Sequence, residues 1–227
     1  MSADAIQANL AEIRGRIAAA CSRSGRGAAE VTLVGVTKTF PAAAIDQGVA
    51  AGITDIGENR VQEVRDKIGA VVSSPRWHLI GHLQSNKARD AVRLFDVVQT
   101  IDSEGLASRL AAAAQAEGKR LEVLIQVNIA AESQKSGIST DEVDGLAGAI
   151  SKLDGLLLTG LMTMPPIGSP EESRRWFAQL RGLRDRLQTT YPTLVQLSMG
   201  MSADFEVAIE EGSTMVRIGR AIFGSRS

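Results

Sequence analysis

Lys38 closes an apolar run, Val31–Thr37 (VTLVGVT), and is the side chain best placed in this sequence to form a covalent bond. A lysine at the end of a buried strand loses hydration, which favours the neutral amine, and a neutral amine attacks aldehydes and ketones. The reaction it suits is Schiff-base formation, with an aldehyde cofactor or with a carbonyl substrate. A lysine that merely extends to solvent from a strand end is the plainer alternative.

Two segments near the C-terminus narrow the choice. Ser198-Met-Gly-Met-Ser202 and Arg217-Ile-Gly219-Arg220 each combine polar groups with a glycine. Gly200 and Gly219 let backbone N–H groups approach an anion, Ser198 and Ser202 bring hydroxyl donors, and a helix starting near Ala203 adds its positive end. Such a set suits a phosphate, although ordinary turns use the same residues. Arg217 is harder to explain as a turn residue, because it sits inside the apolar run Met215-Val216-Arg217-Ile218. A buried guanidinium needs a partner. Facing a pyridine nitrogen, it would donate to that nitrogen and keep it unprotonated, since adjacent positive charges repel. An amine, a phosphate cradle and a pyridine donor together fit pyridoxal phosphate (PLP), held with a weakened electron sink. The competing role for Arg217 is a structural ion pair with Glu58 or Asp204.

Other residues say less. Glu58-Asn59 opens a helix, where a carboxylate and a polar cap are favourable in any case. His78 and His82 stand four residues apart without a third ligand-type partner, so no metal is expected. His82 suits a pocket wall, and His78 a core or supporting position. Met162, Met164, Met199 and Met201 suit the floor of an apolar pocket or, more plainly, the core, and Lys87, Arg89 and Arg93 read as a solvated basic helix face.

Eight short β-branched or aliphatic runs must position these groups: Val31–Thr37, Thr54–Ile56, Trp77–Ile80, Phe95–Gln99, Leu121–Val127, Leu156–Thr159, Leu194–Leu197 and Thr214–Ile218. Most are continuous rather than alternating, as in parallel strands covered on both faces. Helical patterns fill the gaps, beginning with Ile6, Leu10, Ile13 and Ile17 before the first strand. Capping boxes at Ser139–Glu142 and Ser169–Glu172 mark helix starts, and Gly52, Gly118, Gly155 and Gly212 mark helix ends. Eight strand–helix units predict an α/β fold, a (β/α)8 TIM barrel with an extra N-terminal helix. A doubly wound open sheet is the alternative. In a barrel, Lys38, Asn59, the 198–202 segment and the 217–220 segment all fall at the C-terminal ends of strands, where barrels hold their chemistry.

Composition bounds the rest. The chain has 227 residues, 44% hydrophobic and 22% charged, with 25 basic and 26 acidic side chains and a net charge of −1. That balance argues against nucleic-acid binding, which draws on a basic excess. One cysteine, Cys21, excludes an internal disulfide and suits a reducing compartment. The N-terminus lacks the apolar core of a signal peptide, and no run reaches the ~18 apolar residues of a membrane span. The expectation is a cytoplasmic protein with no membrane partner, one domain over residues 1–227.

The segments GVTKTF, GENRVQE, WHLIGHLQSNK, VNIAAESQKSG, GLMTM, LSMGMSADFEVAI and GSTMVRIGRAIFG, in order from about residue 31 to 224, resemble the PLP homeostasis proteins. The resemblance implies a single barrel similar to the N-terminal domain of alanine racemase, without that enzyme's second domain. It implies PLP linked as a Schiff base to Lys38. It places Ser198, Ser202, Gly219 and Arg220 on the phosphate-binding loops, Arg217 opposite the pyridine nitrogen and Asn59 beside the ring. Arg220 stands where such proteins often have Thr or Ser, so a guanidinium replaces a hydroxyl. Arg60 replaces a frequent Tyr, and Thr37 a frequent Ser. The function implied is storage and delivery of PLP, with PLP-dependent apo-enzymes as partners, a role in vitamin B6 and amino-acid balance, a monomeric state and no catalytic turnover. A racemase would need a second base, and the only tyrosine, Tyr191, precedes the seventh strand, at the far end from Lys38. A cofactor-free Schiff-base aldolase is the third possibility.

Overall fold

The computed structural model describes residues 2–224. Eight strands, β1 (Thr32–Val36), β2 (Asp55–Glu58), β3 (Arg76–Leu79), β4 (Val97–Ile101), β5 (Leu121–Gln126), β6 (Leu156–Met162), β7 (Gln196–Ser198) and β8 (Met215–Ile218), close into a barrel in sequence order. Every pairing is parallel, and β1 pairs with both β2 and β8. The open-sheet alternative is thereby excluded.

Helices α1 (Ala3–Arg23), α2 (Ala42–Ala50), α3 (Val61–Lys67), α4 (Ala88–Leu94), α5 (Glu104–Ala116), α6 (Val143–Ile150), α7 (Pro170–Gln188), α8 (Phe205–Glu210) and α9 (Arg220–Phe223) surround it. α1 is the extra helix. It buries Ile6, Leu10, Ile13 and Ile17, the stripe visible in the sequence, and packs against α8, α9 and α2. The main core lies between barrel and helices; Val97, Leu124 and Met162 form a separate small apolar cluster. Among the described residues no helix is long and apolar enough to cross a membrane.

The four glycines expected at helix ends, Gly52, Gly118, Gly155 and Gly212, all have positive φ. The Ser169 capping box forms in full, with Pro170 first in α7. The Ser139 box does not start a helix. Glu142 accepts from the Ser139 N–H and hydroxyl, but 140–142 is a turn and α6 begins at Val143. That serine gives its hydroxyl hydrogen to Glu142 instead of capping a backbone N–H. β4 lies two residues later than expected, because Phe95 caps α4 from a buried position. β7 also starts later, since Leu194 closes a turn onto the Tyr191 carbonyl.

Candidate cofactor site

Closure of the barrel between β8 and β1 is what assembles the site. Val34 and Gly35 lie in register with Arg217 and Ile218. Lys38, half-buried, follows directly where β1 ends, and Gly219 and Arg220 follow where β8 ends. These two mouths are neighbours. A Cβ on Gly219 would come within 3.0 Å of the Val36 carbonyl oxygen, so the backbones touch there with no room for a side chain.

The turn that carries Lys38 is held from outside the barrel. Thr39 adopts φ 68°, an uncommon left-handed conformation for a β-branched residue. Its N–H donates to Glu63. Nζ of Lys67 donates to the carbonyls of Thr37 at 3.2 Å and Phe40 at 3.3 Å, and pairs with Oε1 of Glu58 at 2.5 Å. The Thr37 hydroxyl donates to the same Glu58 oxygen. Burial pushes the Glu58 carboxyl above its ordinary range, with the bonds from Lys67 and Thr37 working the other way. Its Oε2 has no hydrogen-bond partner among the described residues.

On the opposite side, the β7–α8 turn depends on Gly200. Its φ is +95°, and a Cβ there would meet the Ala208 Cβ at 2.6 Å and the Phe205 Cα at 2.9 Å. The Gly200 carbonyl accepts from the Arg217 N–H at 3.0 Å, tying this turn to β8. Ser202 is half-buried in the same loop, and α8 begins at Phe205 with Asp204 as its cap. Arg220 is exposed as the first residue of α9, and Gly219 before it is half-buried.

Arg217 is nearly inaccessible, at 4% exposure. It forms no ion pair among the described residues, so neither Glu58 nor Asp204 is its salt-bridge partner. Nη1 donates to the Ser198 hydroxyl at 2.6 Å and Nη2 to the Thr163 carbonyl at 2.9 Å. Burial pushes the guanidinium down to about 10, partly offset by the field of Asp204. A cation stripped of water and not ion-paired among the described residues suits an acceptor on a bound molecule.

Ser198 stands apart from the loop role expected of it. It is the last residue of β7, fully buried, and its hydroxyl hydrogen goes to Gln99 Oε1 at 2.6 Å. While that bond lasts the hydroxyl has no second hydrogen for a phosphate. Asn59 is half-buried between β2 and α3, one residue before the cap, so the helix opens at Val61 and not at Glu58-Asn59. Met162 and Met199 are core, as expected, but Met164 and Met201 are exposed at 39% and 38% in the loops after β6 and β7. His82 is exposed and lies 3.3 Å from Asp102. Arg89 and Arg93 pair with Glu117. Tyr191 lies in the turn before β7 and donates to Asp144 in α6, away from Lys38.

Residues missed in the sequence are Lys67 and Glu63, together with Gln99 and Asp55, which join His78 inside the barrel. Gln99 and His78 carry the signal that singled out Arg217: a polar residue inside an apolar strand run. Cavities of about 520 and 570 Å³ open at the opposite end of the barrel, lined by strand starts such as Thr32 and Leu121. None of the residues around Lys38 lines them.

The sequence model of the alanine racemase N-terminal domain family matches residues 1–227. The chain is 47% identical over 227 residues to the pyridoxal phosphate homeostasis protein of Escherichia coli K12, covering 96% of this chain and 95% of that one. It is 44% identical to the protein of the same name from Vibrio cholerae, covering 97% and 96%. Among solved structures, PipY of Synechococcus elongatus with PLP bound superposes with a TM-score of 0.84 at 36% identity, over 96% of this chain and all of that one. An alanine racemase from Clostridium difficile, 14% identical, shares the fold alone, with a TM-score of 0.74 over 56% of its length. The chain belongs to the alanine racemase N-terminal domain family and, within it, to the pyridoxal phosphate homeostasis proteins.

Proposed function

We propose that this protein is a single-barrel carrier of PLP, which it holds as a Schiff base on Lys38 and delivers to PLP-dependent apo-enzymes without turnover of its own. The observation that supports the reading is the closure of β8 on β1, which makes neighbours of the strand that leads into Lys38 and the strand that carries the buried Arg217, with Gly219 packed on the Val36 carbonyl. Those groups fit the cofactor: an amine for the aldehyde, a donor for the pyridine nitrogen, and backbone and hydroxyl donors for the phosphate. When bound, PLP supplies an electrophilic carbon conjugated with an electron-withdrawing ring.

In this reading Ser202, Gly219 and Arg220 take the phosphate, Asn59 lies beside the ring and Arg217 faces its nitrogen. Ser198 serves by holding Arg217. A cationic donor there disfavours protonation of the ring nitrogen, which weakens stabilisation of carbanions. The lone tyrosine, Tyr191, on the α6 side of the molecule, leaves no evident second base. The protein acts as a cytoplasmic monomer.

Borohydride reduction of the PLP-loaded protein, followed by peptide mapping, should place a phosphopyridoxyl group on Lys38. A label on another lysine rejects the site. Assays with single-enantiomer amino acids should find no PLP-dependent turnover, while reactivation of an apo-enzyme by the loaded protein should succeed.

A further inference from the structure

Five side chains on five strands form one directional line of hydrogen bonds through the interior of the barrel. Arg217 Nη1 donates to Ser198 Oγ at 2.6 Å, and Ser198 donates to Gln99 Oε1 at 2.6 Å. Gln99 Nε2 lies 2.9 Å from His78 Nδ1, and His78 Nε2 lies 2.8 Å from Asp55 Oδ1. β4 is not adjacent to β7 or β8, so the Gln99–Ser198 bond crosses the barrel.

Each partner dictates the next. Arginine only donates, so Ser198 accepts and has a single hydrogen left to give. That hydrogen meets the Gln99 amide oxygen, which turns the amide nitrogen toward His78. Nδ1 of His78 therefore accepts, Nε2 carries the hydrogen, and Asp55, an acceptor only, ends the line. A cation stands at one end and a carboxylate at the other, with every dipole between them aligned; aligned bonds in a dry interior reinforce one another.

Nothing in the packing demands this arrangement. Barrel interiors are commonly filled by aliphatic layers, and apolar replacements of buried polar sets are often neutral or stabilising. Among the described residues, the anchor of the Arg217 guanidinium outside the line is the Thr163 carbonyl. Two fixed contacts at Nη1 and Nη2 define the plane of the group, and one of them depends wholly on how Gln99 is turned.

We infer that Asp55, His78 and Gln99 are positioning residues: through Ser198 they fix the plane of the Arg217 guanidinium and so the aim of the donor it offers to the pyridine nitrogen. This rests on the reading of Arg217 given above, and the test has two arms so that the two can fail separately.

In the first arm, no cofactor is present. Protein with ¹⁵N-labelled histidine should show His78 with its hydrogen on Nε2, and Ser198→Ala, on the far side of the barrel, should shift the His78 ring resonances. Unmoved resonances would overturn the line itself, whatever binds. In the second arm, Gln99→Leu and His78→Phe are loaded with PLP. A lost hydrogen bond to a charged group should weaken binding about tenfold and displace the absorption maximum of the bound cofactor, with borohydride still labelling Lys38. Folded variants with wild-type absorption and affinity would overturn the positioning role and leave the PLP reading standing. Failure of the wild-type chain to take up PLP would reject the reading of Arg217, and this inference with it, while the first arm still reports on the line. If Gln99→Leu does not fold, Gln99→Met, closer in shape, carries the same expectation.

Discussion

Nζ of Lys67 stands 2.5 Å from Oε1 of Glu58, and the same ammonium donates to the carbonyls of Thr37 and Phe40, on either side of Lys38. The Glu58 side chain is fully buried and that of Lys67 nearly so. The pair is thus a clasp on the outside of the turn that presents Lys38. Removing one member of a buried pair costs about 3–5 kcal/mol, because the other charge is left uncompensated. Lys67→Met should lose about 3 kcal/mol in urea unfolding at neutral pH, and adding Glu58→Leu should recover most of it. Burial raises the Glu58 carboxyl, so its protonated form favours the fold and that contribution is lost as pH rises. The deficit of Lys67→Met should therefore shrink as pH falls. A loss below about 1 kcal/mol at neutral pH would show that the clasp does not hold the turn.

In the proposed reading, Arg217 sets function against stability. Burial lowers it from the ordinary guanidinium range to about 10, a difference of about 3 kcal/mol at neutral pH, where the charged form is the one buried. The cost is complete below the folded value and is relieved only as pH rises past it. Its hydrogen bonds to Ser198 and Thr163 oppose that cost, each worth about 1.5–3 kcal/mol. Arg217→Met should change the stability of the cofactor-free protein by no more than about 2 kcal/mol either way, yet abolish the cofactor's normal spectrum. A loss beyond about 4 kcal/mol would mean that the two bonds outweigh desolvation.

Gly200 and Gly182 predict opposite outcomes for one substitution. At Gly200, φ is +95° and an added Cβ would meet the Ala208 Cβ at 2.6 Å. Strain and overpacking together should make Gly200→Ala cost about 3 kcal/mol or more and weaken PLP binding with it. Gly182 lies inside α7, and an added Cβ meets only the tip of Arg186 at 3.9 Å. Gly182→Ala should stabilise by about 0.5–1 kcal/mol and leave binding alone. Thermal unfolding of the two variants side by side checks both signs.

How far the sequence carries is clearest at particular residues. The barrel was legible because parallel strands covered on both faces are written as unbroken apolar runs, and all eight runs became strands. Strand ends drifted where a buried aromatic such as Phe95 belongs to a cap, a distinction local composition does not make. Lys38 and Arg217 stood out as charges against apolar runs. His78 and Gln99 stood out less, because a neutral polar residue in a strand has many ordinary explanations. Their link to Ser198 spans non-adjacent strands, and only closure of the barrel creates it. Lys67 and Glu63 were invisible as site residues, since on a short helix they read as surface charge. Met164 and Met201 misled in the other direction: Met199 and Met201 share a motif and an apolar character, but only the first points into the core.

Asp55 ties the interior line to acid stability. Burial alone would raise its carboxyl, but the bonds from His78 and Thr54 outweigh burial and hold it below the ordinary value of 3.8. A carboxyl lowered on folding stabilises the protein above its unfolded value, and that contribution is lost as pH falls through the folded one. Asp55→Asn keeps an oxygen to accept from His78 but has no charge to titrate. The wild-type protein should be the more stable of the two at neutral pH, with the gap closing in acid. Other lowered carboxyls, Asp46 and Glu210 among them, are common to both proteins and cancel in the difference. Urea unfolding over a pH series measures that gap directly. A gap that stays constant from neutral to acid pH would mean that the fold uses the Asp55 oxygen as an acceptor and draws nothing from its charge, in which case the line from Arg217 ends on a hydrogen bond and not on a counter-ion.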